Sequence, residues 1–231
     1  MIKIEYTEVF GWSAAIRGMR NPMNSWEKSD SFEFYSYDEG NPYIGNNDKK
    51  LMRNLAKTGD DHGKVIRYLD VFVDITAPLY WWKEFRTYRK GRKFMDDGDD
   101  FTDPDELEMH IETNSCSTMH KIHAKEFTMD DFSHEHLTPG SIDVLNTTIQ
   151  HLNFCRRWFL ADGNKEWWWQ IIQLLPSSYN QKRTVKLNYQ VIKNMYNARK
   201  NHKLDEWHDF CAWCESLPYF MEIIGGESSD R

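Results

Sequence analysis

No apolar run in the 231-residue sequence approaches the ~20 residues that a membrane-spanning helix needs. The opening segment, MIKIEYTEVF, lacks the apolar stretch of a signal peptide. Four cysteines (Cys116, Cys155, Cys211 and Cys214) in a chain without a secretion signal are expected as reduced thiols, and the cytoplasm is the expected location. Positive charge is in deficit: the net charge of -7 argues against a nucleic-acid coat or a binder of anionic membranes. Glycine-rich phosphate loops of the GxGxxG or GxxxxGK type are missing, so a dinucleotide-binding Rossmann domain is not expected. Neither an internal repeat nor a clean linker interrupts the chain, and one domain over 1–231 is the expectation.

Apolar residues reach 40%, enough for a sizeable core, and aromatics reach 15% with ten Trp. Trp and Tyr combine large area with a polar edge, which suits cores, subunit contacts and flat ring ligands. The stretch IKIEYTEV alternates as a strand, and WSAAIRGMRN reads as a helix closed at Asn21-Pro22. Residues 23–47 read as loop, and DKKLMRNLAKTG as a helix with Gly59 at its C-terminal end. KVIRYLDVFVDIT (64–76) is the clearest strand, with Leu69, Val71, Val73 and Ile75 on one face and Pro78 as its end. A basic amphipathic helix, LYWWKEFRTYRKG, follows.

Residues 96–108, DDGDDFTDPDELE, lack the ligand spacing of an EF-hand and read as a solvated insertion spanning about 92–112. The C-terminal half reads as helical. One helix is capped by Ser141, carries Ile142, Leu145, Ile149 and Leu152 on one face, and stops at Gly163. NKEWWWQIIQLLP, LNYQVIKNMYNAR and KLDEWHDFCAWCESLP follow as three more. The fold class expected is α+β, a twisted sheet with packed helices.

Several constellations have bland readings. Cys211-Ala-Trp-Cys214 has redox spacing but sits inside a helical pattern rather than opening a helix after a strand, so buried thiols are expected. His120, His123, His134 and His136 lack a Cys or carboxylate at a recognised ligand spacing, and no metal is expected. Nucleophilic catalysis by Cys116 or Ser115 would need a neighbouring base that sequence cannot locate.

Other elements stand apart in order: Asp61-His62-Gly63-Lys64, the long strand, APLYWWKEFRTYR, NSCSTMHK (114–121), LLPSSYNQKRT, and the helix with Asn188, Asn197 and Arg199. Together they resemble a divergent member of the flavin-dependent thymidylate synthases. In that family a Gly-His element precedes a strand ending in Pro. A helix then carries Arg-Gln and an Arg-His-Arg triplet, which opens a signature continuing x-x-Ser-x-Asn-Glu-x-Ser-x-Arg. A Leu-Pro element and a helix with Asn and Asn-x-Arg come later. Here His62 matches the Gly-His histidine, Lys83-Glu84 the Arg-Gln pair, and Thr87-Tyr88-Arg89 the triplet. Asn114-Ser115-Cys116-Ser117 matches Asn-Glu-x-Ser, and Leu175-Pro176 leads to Asn188 and Arg199. The match covers about 62–120 and 174–208. Thr87 and Tyr88 depart from the triplet, Ser115 replaces the signature Glu, and Met119 its last Arg.

The resemblance implies a homotetramer with FAD bound where subunits meet. NADPH would reduce the FAD, and methylenetetrahydrofolate would give a one-carbon unit to C5 of dUMP, yielding dTMP. It assigns His62, Thr87, Tyr88, Arg89, Asn197 and Arg199 to the flavin. It assigns Glu84, Asn114, Ser115, Ser117, Lys182, Arg183 and His208 to the nucleotide, with Asn114 setting the turn of the 114–121 loop and Lys182 and Arg183 as candidate phosphate cations. The family uses no enzymic cysteine nucleophile, so Cys116 takes no such role. Direct nucleic-acid binding and membrane association are not expected. Open alternatives are a sister enzyme making another C5-modified pyrimidine such as a hydroxymethyl nucleotide, a non-catalytic nucleotide-binding paralogue, and a metal protein using the histidines at 120–136.

Overall fold

The computed structural model describes residues 2–32, 42–59, 62–89 and 111–225, with Tyr88 and Arg89 described by backbone alone. The acidic stretch 96–108 lies outside the described residues. The elements run β1 (Lys3–Phe10), α1 (Trp12–Arg20), α2 (Asn46–Lys57), β2 (Asp70–Pro78), α3 (Leu79–Phe85), β3 (Glu112–Ser115), α4 (Pro139–Asp162), α5 (Lys165–Leu174), β4 (Asn180–Asn188), α6 (Tyr189–Arg199), α7 (Asp205–Ser216) and α8 (Phe220–Ile224). The strands form a four-stranded sheet in the order β1-β2-β4-β3. The fold is α+β, as expected. Among the described residues no helix is long and apolar enough to cross a membrane.

The chain divides into two compact units. The first comprises Met1–Lys3, Asp74–Arg86 and Thr113–Thr184. Its core gathers Ile122, Phe127, Phe132, Leu145, Ile149, Leu152, Cys155 and Ile171, with Trp167 and Tyr179 packed against them. Helix α4 supplies Leu145, Ile149 and Leu152 at helical spacing, so one stripe is buried while most of the rest stays wet. Its N-cap is Thr138, not Ser141: Pro139 occupies the first helical position, where its missing N–H costs nothing, and Ser141 falls inside the first turn. Gly163 ends α4 at φ 70, as expected. The side-chain amide of Asn153 closes both polar groups of the Phe127 backbone at 2.8 Å, fixing the 116–134 segment to the helix.

The second unit comprises Ile4–Val73, Thr87–Glu112 and Val185–Arg231. Tyr189 is central to it: its ring meets Trp12 and Phe220 edge-on, and its hydroxyl donates to the Pro218 carbonyl at 2.7 Å. Gly11 joins β1 to α1 at φ 98, and a Cβ there would lie 1.9 Å from the Tyr68 carbonyl oxygen, so no other residue fits. Arg20 and Asp48 form an enclosed ion pair at 2.6 Å.

Two sequence expectations about strands are corrected. Residues 63–67 form a 3-10 helix, and β2 begins only at Asp70. Val65 and Ile66 are both buried, and adjacent residues cannot share one face of a strand. The C-terminal half is not wholly helical: residues 180–188 form β4, so Leu187 belongs to a strand and Asn188 caps α6 through its side chain, which accepts from Val191 N at 3.1 Å.

Candidate functional site

The nucleotide-assigned residues Glu84, Asn114, Ser115, Ser117, Lys182 and Arg183 all fall in the first unit. There β3 lies beside β4, and the pairing is extended where Cys116 N donates to Lys182 O at 3.0 Å and Gln181 Nε2 to Cys116 O at 2.6 Å. Asn114 and Ser115 are therefore strand residues, exposed along the rim of the sheet. The turn belongs to Ser117 rather than Asn114. The Ser117 hydroxyl accepts from Met119 N and His120 N at 3.2 and 2.8 Å, the local bond that short hydroxyl side chains make. Trp168 Nε1 pins the following residue by donating to Met119 O at 3.0 Å. The segment is thus a built edge, not a solvated linker.

Period 2 in β4 separates the two expected cations. Gln181, Arg183, Val185 and Leu187 are buried on one face, and Lys182, Thr184 and Lys186 lie on the other. Lys182 pairs with Asp74 at 2.9 Å, and Thr184 donates to the same carboxylate at 2.6 Å. The Thr184 hydrogen bond and the Lys182 ammonium hold the Asp74 carboxyl below the usual carboxylate range. Lys182 and Arg183 thus face opposite sides of the strand.

Arg183 is 5% exposed. Its guanidinium lies over the Trp82 ring, 4.3 Å from the centroid, and its Nε and Nη2 both donate to Gln181 Oε1 at 3.1 and 2.8 Å. The Trp82 indole in turn donates to Gln181 O at 2.9 Å. No carboxylate among the described residues pairs with Arg183. Burial, and secondarily the like charge of Arg86, push its pKa down to about 10. Glu84 is half-buried on α3 between these groups in sequence. Trp82, Gln181 and Arg86 were not singled out by the sequence. Apolar residues mark the alternation of β4 only at Val185 and Leu187, which hid the strand.

The second unit holds His62, Thr87, Tyr88, Arg89, Asn197, Arg199 and His208. His62 is exposed and precedes the 63–67 turn. Thr87, Tyr88 and Arg89 belong to the 3-10 turn Arg86–Arg89; the side chains of Tyr88 and Arg89 lie outside the described part. Asn197 is exposed on α6, while Arg199, the last residue of that helix, is half-buried with its guanidinium 4.9 Å from the Trp207 ring centroid. Two apart on a helix, these residues point in different directions. His208 is exposed, its Nε2 2.7 Å from His202 O, and the imidazole packed against Trp207 is that of His202.

Cys211 and Cys214 are free, buried thiols inside α7. Burial and then Glu215 push Cys211 up to about 11, and burial holds Cys214 well above the ordinary thiol range. Such thiols suit packing rather than redox exchange. Among the described residues no three His, Cys, Asp or Glu side chains gather into a metal-holding group.

No known protein-family profile matches the sequence, and no curated protein is matched by it. The fold has close parallels among solved structures. A flavin-dependent thymidylate synthase from Helicobacter pylori, solved with FAD and dUMP, superposes with a TM-score of 0.61 at 16% identity, covering 95% of this chain and 96% of that one. A second structure of the Helicobacter pylori enzyme, also with FAD and dUMP, gives a TM-score of 0.62 at 15% identity, with 96% of each chain covered. These likenesses establish that the chain has the fold of the flavin-dependent thymidylate synthases.

Proposed function

We propose that the protein is a flavin-dependent enzyme acting on a pyrimidine deoxynucleotide. It would transfer a one-carbon unit from methylenetetrahydrofolate to C5 of dUMP, with NADPH as reductant, in a homotetramer. The observation that carries this reading is the likeness, over nearly the whole of both chains, to an enzyme solved with FAD and dUMP. Two features of this chain suit those ligands. Arg183 is a buried cation without a carboxylate among the described residues, in keeping with an anionic ligand. Arg199, held over Trp207 at the end of α6, is a planar multiple donor of the kind that suits a pyrophosphate.

In this reading His62, Thr87, Tyr88, Arg89, Asn197 and Arg199 hold the flavin. Glu84, Asn114, Ser115, Ser117, Arg183 and His208 serve the nucleotide, and Lys182, already paired with Asp74, contributes charge balance on the opposite sheet face. FAD, when bound, supplies the redox chemistry that no side chain can. The exposed Asn114 amide and Ser115 hydroxyl offer donors and acceptors matched to a pyrimidine edge. The Ser117 hydroxyl, bonded to His120 N, fixes the turn that follows them. Ser115 in place of the family's Glu also favours a second reading, in which the C5 substituent delivered is hydroxymethyl rather than methyl.

Visible absorbance of the purified protein before and after FAD addition tests the first reading. A bound-flavin spectrum bleached by NADPH, with its reoxidation altered by dUMP, supports it, and absence of flavin binding overturns it. Mass analysis of the product separates methyl from hydroxymethyl. Arg199→Ala is expected to release the flavin; a variant that keeps its full yellow colour would remove Arg199 from the assignment.

A further inference from the structure

We propose that α2 and the end of α8 form a binding site for a linear oligophosphate, either inorganic or the phosphate chain of a nucleotide. The site lies within the second unit, on residues to which no likeness assigns a role, and it does not depend on the flavin reading.

A cavity of about 280 Å³ runs along the outer face of α2. Lys49, Lys50, Arg53 and Lys57 line it, Glu222 of α8 closes one side, and two asparagine amides of α2 complete it. The cations recur three and four residues apart, which sets them on one face of the helix. Lys49, Arg53 and Lys57 follow one another at steps of about 6 Å along the axis.

Three of the four charges go unanswered within the described residues. Glu222 pairs with Lys49 at 2.9 Å, and the Lys49 ammonium also lies 5.6 Å from the Tyr219 ring centroid. Arg53 donates through Nε to the Glu222 carbonyl at 2.6 Å, a bond to the last turn of α8 that sets the direction of the guanidinium. Its terminal nitrogens take no acceptor among the described residues. Lys50 and Lys57 are exposed and have no acidic partner among the described residues. The single acid of α2, Asp48, is turned inward to Arg20 and does nothing for the stripe. Like charges three and four apart repel along a helix, and a solvated helix face ordinarily mixes its signs. Here one sign is gathered around a concavity, in a chain whose net charge is -7.

The lining sets the chemistry of the ligand. Every lining side chain is charged or an amide, so the cavity has no ring on which a base could stack. Its volume lies just under the ~300 Å³ at which pockets for drug-sized ligands begin, which favours a small ion or one end of a larger molecule. An excess of three positive charges along a helix face matches negative charge that is likewise spread along a line. A single orthophosphate answers one or two of these cations. Linked phosphates answer all three, with Arg53 as the planar fork and the two lysines as point charges.

Titrations of the full-length protein at constant ionic strength test the site, with tripolyphosphate, ATP, dTTP, orthophosphate and a hexaglutamate peptide as separate probes. Tripolyphosphate at about a hundredfold its Kd should raise the Tm by roughly 5 °C. By calorimetry it should bind at least about tenfold more tightly than orthophosphate. Lys50→Gln combined with Lys57→Gln, two exposed positions whose change leaves the fold intact, should weaken tripolyphosphate by about tenfold or more. ATP and dTTP within about threefold of tripolyphosphate, and equally sensitive to the double substitution, would identify the phosphate chain alone as the ligand. Tighter binding of either nucleotide, lost in the same variant, would make that nucleotide the source of the chain. Equal affinity for tripolyphosphate in wild type and double variant would overturn the proposal. So would tripolyphosphate binding no tighter than orthophosphate, or hexaglutamate binding more tightly than tripolyphosphate.

Discussion

Two buried guanidiniums, each in its own unit, have opposite surroundings. Arg20 is 4% exposed and Arg183 is 5% exposed, so burial does not distinguish them. Arg20 meets the Asp48 carboxylate at 2.6 Å and gives its remaining nitrogens to the carbonyls of Ser25 and Lys28 at 3.1 and 3.0 Å. The other Asp48 oxygen accepts from the Ser29 and Ser31 hydroxyls and from Asp30 N. Every strong donor and acceptor there is answered within the protein. Arg183 has an amide oxygen, an indole ring and a second cation instead of a carboxylate. A closed network fixes a loop; an open one leaves a charge unanswered among the described residues.

Breaking the closed network should give the largest effect. Asp48→Asn leaves Arg20 buried beside a neutral amide and should cost about 3–5 kcal/mol in chemical denaturation. A milder way to open it is acid. Burial pushes the Asp48 carboxyl upward, but the hydrogen bonds from Ser31, Ser29 and Arg20, with the charge of Arg20, outweigh it and hold the carboxyl below its ordinary range. A folded-state pKa lower than the unfolded one stabilises above the unfolded value and loses that contribution as pH falls through the folded one. Stability should therefore drop below about pH 4. Denaturation midpoints measured down the acid range should show this drop in the wild type and a smaller one in Asp48→Asn.

Removing the cation of the open network should have the contrary sign. Arg183→Met keeps an apolar stem and removes an uncompensated charge, so in phosphate-free buffer it should raise the unfolding free energy by about 1 kcal/mol. A loss of several kcal/mol would mean that Arg183 is as structural as Arg20. Least affected should be Arg86→Gln, exposed and without an acidic partner among the described residues, whose unfolding free energy should stay within about 0.5 kcal/mol of wild type.

The same contrast explains what the sequence revealed and what it concealed. Strand β2 was legible because Leu69, Val71, Val73 and Ile75 alternate cleanly and all are buried. Its start was misplaced because Val65 and Ile66, both apolar, extend the run without obeying its period. Strand β4 was not legible, since two of its inward positions are Gln181 and Arg183, and buried polar residues look like surface ones in a pattern search. Strand β3 has no apolar residue to mark it. The order of family motifs pointed correctly to the fold and drew attention to the 114–121 segment. It also named Lys182 and Arg183 together as cations, and the alternation of the strand turns them to opposite faces.

The distribution of the thiols has a practical consequence. Cys155, Cys211 and Cys214 are buried, with burial pushing each above the ordinary thiol range, while Cys116 is exposed. At neutral pH a maleimide should therefore attach at a single native position, with no engineering of the chain. That position immediately follows β3 and is bonded through its backbone to Gln181 and Lys182, the neighbours of Arg183. A dye placed there would be a built-in optical gauge, reporting in real time whatever settles against this edge of the sheet.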